Sequence, residues 1–254
     1  MRFFNNKLSR INFVILMLIL PYLYIDMSNS SDSSGISKAA LSVVNIIASN
    51  TSALETYQGR INQPVVGSGI IISKDGYIVT NLHVINGQKK INVELDDGQI
   101  KLASIIGYDQ RSDLAVIKIS DQEKFSPIKL ADSKTVRIGD NVIAIGNSFG
   151  LGKTFTSGII SATGRDYGNP YLELIQTDAA INPGNSGGAL LNHRGNLIGM
   201  NTKIFSKTGS YTGIGFALPS NKMIDVASEI IKFGKVQKSW IGDFRVKYKR
   251  FVLN

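Results

Sequence analysis

An all-β fold, a barrel or sandwich carrying one late helix, is predicted by three observations. From about residue 40 to residue 220 the chain runs in short segments rich in Val, Ile and Thr, separated by glycines and Asp-Gly pairs. Almost nothing in that span repeats its apolar residues at helical spacing. With 254 residues and 43% hydrophobic composition, there is material for one large core or two small ones.

Taken in order, the elements follow from local pattern. Arg2, Lys7 and Arg10 precede an apolar run from Phe13 to Ile25, broken by Pro21. At about 13 residues it suits an export signal better than a full span, which needs roughly 20. No A-x-A site follows, so residues 1–27 are expected to be either a signal sequence or a signal anchor. Residues 28–35 form a Ser-rich linker. "ISKAALSVVNII" starts as a short helix and runs into a strand; "GSGIIIS", "GYIVTN", "KINVELDDGQ", "KLASIIGYD" and "LAVIKI" continue as strands. "NVIAIGN", "TFTSGIISATG", "LELIQTD", "GGALLN", "NLIGMNTKI" and "GIGFALP" form a second run of the same kind. "SKDGY" (73–77) and "LDDGQ" (95–99) are hairpin turns. One helix is expected over 220–233, with Ser220 as its cap and Gly234 as its stop. Residues 234–254 are a basic tail.

Composition removes several function classes. There is no cysteine, hence no disulfide, thiolate metal site or Cys nucleophile. The net charge of +9 would suit a nucleic-acid binder if it lay on the folded body. It does not: three uncompensated basic residues precede residue 26, and residues 232–254 hold seven basic and one acidic side chain. The 18 basic and 18 acidic residues between them cancel, which argues against a basic groove and leaves only the tails for anionic lipid.

The chemistry gathers around "INPGNSGGAL" (181–190), where three glycines, two asparagines and Ser186 lie between apolar positions. Such a cluster implies a sharp turn or a close backbone approach. Alone it reads equally well as a turn between strands or as a nucleophile whose own N–H, with that of Gly184, faces a developing oxyanion. An activated serine needs a base, and the base an orienting acid. Of the two histidines, His193 lies in a polar hairpin tip, "LNHRGN", and is expected to be solvated. His83 closes the apolar strand of "GYIVTNLHVI", and Asp113 immediately precedes the strand "LAVIKI". Each alone is an ordinary core or turn residue. Jointly, the order His83, Asp113, Ser186 is that of the chymotrypsin-type enzymes, and two small barrels would bring the three together at a cleft.

"GSGIIIS", "GYIVTNLHVI", "DLAVIKI", "IGDNVIAIGN", "TSGIISATGR", "IQTDAAINPGNSGGALLN", "LIGMNT" and "GIGFALPSN" together resemble the HtrA/DegP family of trypsin-fold serine proteases, in family order across residues 36–242. The layout is most similar to the membrane-anchored, DegS-like members. The resemblance implies a chymotrypsin/trypsin-like double β-barrel with a C-terminal helix, the barrels at about 36–128 and 129–219 within a protease domain of 36–233. It implies Ser186 as nucleophile, His83 as general base and acid, and Asp113 as the group that orients His83. Gly184, Asn185 and Ser186 would make the oxyanion hole. Ile181, Ile204 and Ile214 would line an apolar specificity pocket, with Ala180 where trypsin has its acidic floor; Asp178 is the rival for a charged floor.

No cofactor and no metal are implied. Expected partners are unfolded or membrane-tethered protein substrates and two further copies in a homotrimer, with no nucleic acid. The expected location is the periplasm, with inner-membrane attachment through the N-terminus left open. The family's PDZ domain would follow residue 242, where "DFRVKYKRFVLN" is too short to fold as one, so that module is expected to be missing. A proteolytically silent chaperone or scaffold on the same fold is the alternative; its mark would be a lost member of the triad, and none is lost.

Overall fold

The computed structural model describes residues 34–50, 65–121, 124–147, 152–166, 169, 171–204 and 211–237, with the backbone alone at 203 and 204. The signal or anchor segment, most of the linker and the tail beyond residue 237 lie outside the described residues. Residues 34 and 35, assigned above to the linker, already belong to a helical turn over 34–40.

Twelve strands among the described residues close into two six-stranded antiparallel barrels, as the double-barrel expectation requires. The first contains β1 (Val43–Ser49), β2 (Val65–Ile71), β3 (Tyr77–Asn81), β4 (Lys90–Glu94), β5 (Ile100–Asp109) and β6 (Leu114–Ile119), in the order β1-β2-β3-β6-β5-β4. The second contains β7 (Asn141–Gly146), β8 (Thr154–Arg165), β9 (Leu174–Thr177), β10 (Ala189–Asn192), β11 (Leu197–Ile204) and β12 (Gly215–Pro219), in the order β10-β11-β12-β9-β8-β7. Each closed order removes the exposed strand edges that would otherwise invite further pairing.

Many strands are buried on both faces, and this explains their continuous apolar runs. Ile78 of β3 points into the first barrel with Val44 and Ile117, while the next residue, Val79, points outward into a core shared by both barrels. In the second barrel Leu190 faces the interior with Val142 and Ile198, whereas Ala189 and Leu191 face the shared core. Period-2 alternation is still there in space, but both faces demand apolar residues.

The helix Ser220–Phe233 completes the shared core. Met223, Val226, Ala227 and Ile230 recur at spacings of three and four, so one stripe of the helix is buried. Gly234 closes it in a left-handed conformation, with its N–H donating to Ile230 O at 2.8 Å. The start differs from expectation. Pro219 is the N-cap, Ser220 is the first helical residue, and its hydroxyl donates to Ala131 O at 2.8 Å instead of capping. Non-local burial of the Ser220 hydroxyl won over the local cap.

Candidate active site

His83 sits in the short helix Leu82–Ile85 that follows β3, and Asp113 in the turn between β5 and β6. Cross-strand pairing of Asn81 with Leu114 brings these two ends together. Asp113 is in the left-handed region at φ +52°, unusual for a residue with a side chain. Asp109 shapes the turn before it, accepting from the N–H and the hydroxyl of Ser112 at 3.2 and 2.8 Å.

Asp113 then grips His83 at two points. Its Oδ1 accepts the His83 backbone N–H at 3.0 Å, and its Oδ2 lies 2.6 Å from His83 Nδ1. A carboxylate can only accept, so Nδ1 carries the proton and Nε2 of the neutral ring is left with its lone pair. The imidazole is half exposed and therefore open to solvent or substrate.

Ser186 lies in the loop between β9 and β10. Its own carbonyl accepts Ser68 N–H at 2.9 Å, which ties the loop to β2 of the first barrel. Ser186 Oγ donates to Thr202 O at 3.4 Å and makes no hydrogen bond to His83 among the described residues. Gly184 and Gly187 flank it at φ +100° and +81°. A Cβ on Gly187 would lie 2.1 Å from Ser68 O, so the glycine permits a close approach as well as the turn.

Three amides were expected to face an oxyanion, and the structure separates them. Asn185 N–H donates to Asn182 O at 3.0 Å and is not available. The N–H groups of Gly184 and Ser186 have no protein acceptor among the described residues. The tight turn 182–185 consumes the middle amide; Asn185 is instead fully buried, as a packing residue.

Of the expected pocket residues, Ile181 is fully buried against Gly215, and Ile214 is partly buried on the shared core. Ile204 ends β11 with its backbone paired to Gly215, so the three positions meet at one strand pair. Asp178 is engaged elsewhere, its Oδ1 accepting Ile159 N–H of β8 at 2.6 Å. Its carbonyl accepts the Tyr211 hydroxyl, whose pKa is raised by burial and then by the nearby Asp178 charge. His193 is exposed in its hairpin, as expected.

Sequence reasoning missed the buried polar residues that hold this site: Ser68, Thr80, Asn81 and Thr202. Ser68 was visible as the polar residue inside the apolar segment "GSGIII", and Asn81 as the polar end of "GYIVTN". Nothing local indicated what either one touches.

Arranged in this way, a serine hydroxyl, a ring nitrogen with a free lone pair and two unpaired amides can support acyl transfer. The family model described as a trypsin-like peptidase domain matches residues 67–200. A probable periplasmic serine endoprotease, DegP-like, from Rhizobium meliloti is 47% identical over 186 residues, covering 73% of this chain and 37% of the relative. A protein of the same description from Buchnera aphidicola subsp. Schizaphis graminum is 52% identical over 180 residues, covering 70% and 38%. This chain thus spans less than two fifths of the length of these curated relatives. Among solved structures, the HtrA-type protease AlgW with decapeptide superposes with a TM-score of 0.72 at 42% identity, covering 84% of this chain and 71% of that one. The serine endoprotease from Yersinia pestis gives a TM-score of 0.69 at 43% identity, covering 81% and 68%. By family match, identity and fold, this chain belongs to the HtrA-type proteases of the trypsin fold.

Proposed function

We propose that this chain is a periplasmic serine endopeptidase that cuts unfolded or exposed protein segments, with Ser186 as nucleophile, His83 as general base and acid, and Asp113 as its orienting group. The observation that carries it is the double grip of Asp113 on His83, at 3.0 and 2.6 Å, which fixes the ring with Nδ1 on the carboxylate and leaves Nε2 to act as the base. On substrate binding, Ser186 Oγ turns from Thr202 O toward Nε2 and attacks the scissile carbonyl carbon while Nε2 takes its proton. The carbonyl oxygen becomes an oxyanion stabilised by the N–H groups of Gly184 and Ser186. The imidazolium, stabilised by Asp113, gives its proton to the leaving amine nitrogen, and the peptide bond breaks to leave an ester on Ser186. Water attacks that ester with His83 again as base, releasing the carboxylic acid and restoring the serine.

Ile181, Ile204 and Ile214 are assigned to the specificity pocket, and the relatives named periplasmic support the location. Attachment to the inner membrane through residues 1–27 and assembly as a homotrimer are part of the same proposal. Exposed Leu41, Phe155 and Ile159 supply apolar surface for assembly, and light scattering on the purified chain would contradict a trimer by returning a monomer mass at micromolar concentration.

One observation favours the silent-scaffold reading: the hydrogen bond of Ser186 Oγ to Thr202 O rather than to His83. A fluorophosphonate probe separates the two. The peptidase reading expects covalent labelling that maps to Ser186, and losses on the order of 10⁴-fold in rate for Ser186→Ala and His83→Ala. A folded chain that neither labels nor cleaves casein would establish the scaffold instead.

A further inference from the structure

Asn81 is fully buried where the two barrels meet, and its side chain does something that its position in the chain does not call for. It is the N-cap residue of the helix Leu82–Ile85, a place where asparagine ordinarily turns its oxygen back onto the helix amides. Here it makes no capping hydrogen bond. Instead Nδ2 donates to the carbonyl of Asp113 and to Thr202 Oγ1, each at 2.9 Å. A peptide carbonyl can only accept, so the atom facing Asp113 O must be the amide nitrogen. This orientation leaves Oδ1 buried with no hydrogen-bond partner. Asp113 meets the first helix amides in its place, taking Leu82 N–H on its carbonyl and His83 N–H on its carboxylate, and the unpaired buried oxygen left behind points to a demand on Asn81 that overrides local stability.

The demand comes from both partners. Asp113 is held at φ +52° by three consecutive residues: Asn81 Nδ2 and Leu82 N–H donate to its carbonyl, and His83 holds its carboxylate. Thr202 is the extra residue of a bulge in β11, for Asn201 pairs with Ala217 while Lys203 pairs with Phe216. A bulge re-aims the side chain it carries. This one directs the Thr202 hydroxyl at the first barrel, while the Thr202 carbonyl accepts Ser186 Oγ. Asn81 therefore connects the peptide of Asp113 to the residue on which Ser186 rests.

We propose that Asn81, with Thr202, is a positioning residue that sets Asp113, and through it His83, in register with Ser186 across the barrel interface. The proposal rests on the peptidase reading above. It requires that loosening Asn81 impair the chemical step while substrate capture is kept.

The test uses the full chain and the fluorophosphonate probe. For Asn81→Ala the saturating labelling rate should fall roughly tenfold or more, with the half-saturating concentration moving less than about twofold. Thr202→Val, which keeps the shape and removes the hydroxyl that accepts from Asn81, should show the same pattern more weakly, and Thr202→Ser should recover most of that loss. Proton NMR gives a readout independent of labelling: the downfield resonance of His83 Nδ1–H should be present in the wild type and shifted or broadened in Asn81→Ala. Failure of wild-type labelling would overturn the peptidase reading, while the resonance would still decide the role of Asn81. Should Asn81→Ala not fold, Thr202→Val and Thr202→Ser carry the comparison. A folded Asn81→Ala, or else Thr202→Val, with wild-type labelling and an unmoved resonance overturns the proposal.

Discussion

Ser68 of the first barrel holds the Ser186 loop of the second: its N–H donates to Ser186 O at 2.9 Å and its hydroxyl to Gly184 O at 2.7 Å. The same hydroxyl accepts Asn147 N–H at 2.8 Å, and Thr80 Oγ1 donates to Ser68 O at 2.7 Å. Ser68→Ala leaves a buried carbonyl and a buried amide unpaired, each at a cost of about 1–3 kcal/mol. We expect a lowered urea midpoint together with slower fluorophosphonate labelling, because the Gly184–Asn185 peptide, which lies between the Gly184 and Ser186 amides, loses its anchor. Wild-type values for both would show that the loop holds itself.

Gly187 gives a sharper steric case. At φ +81° and with Ser68 O only 2.1 Å from where a Cβ would stand, Gly187→Ala combines backbone strain with a clash against backbone. Strain of this kind costs on the order of 1–3 kcal/mol before the clash is added. Urea unfolding should show a loss at the upper end of that range or more, and an unchanged midpoint would contradict the close approach.

The specificity pocket proposed above is assigned Ile181, Ile204 and Ile214, and the carboxylate of Asp178 is engaged with Ile159 N–H of β8. Cleavage is therefore expected after Val, Ile or Ala. Mass spectrometry of peptides from an unfolded substrate measures this directly, and a dominant set of cuts after Lys or Arg would refute the apolar assignment.

Asp132 clasps the C-terminal helix to the second barrel. Its Oδ1 accepts from Lys134 N–H at 3.0 Å and from Asn221 Nδ2 at 2.7 Å. The Lys134 N–H, followed by the Asn221 amide and the Lys134 charge, holds its carboxyl below the ordinary value of 3.8. A depressed folded pKa means that the clasp is fully present above that ordinary value and is lost as pH falls through the lowered one. Hydrogen-exchange protection of Lys134 should therefore decline at acid pH in the wild type. In Asp132→Ala it should be low throughout, and equal protection in the two proteins at neutral pH would remove Asp132 from this role.

Local pattern was enough to specify the strand runs and the late helix with its buried stripe, because each leaves a mark among its near neighbours, whereas His83, Asp113 and Ser186 became candidates only jointly, through their order along the chain and the family resemblance. Strands bounded by Asp-Gly turns, apolar spacing of three and four, and a glycine cluster around one hydroxyl can be read without knowing what lies opposite. Whether the strands made a sandwich or barrels was not local, since residues such as Val79 and Leu191 face a shared core and blur the alternation. It took the folded arrangement to establish which amides stay free, that Ser220 bonds Ala131 rather than capping, and that Ser68, Asn81 and Thr202 fasten the site. Ser68 meets Gly184 across 116 residues of chain, and Asn81 meets Thr202 across 121. A buried hydrogen bond forms wherever folding sets a donor against an acceptor, and its energy depends on that encounter rather than on sequence neighbours.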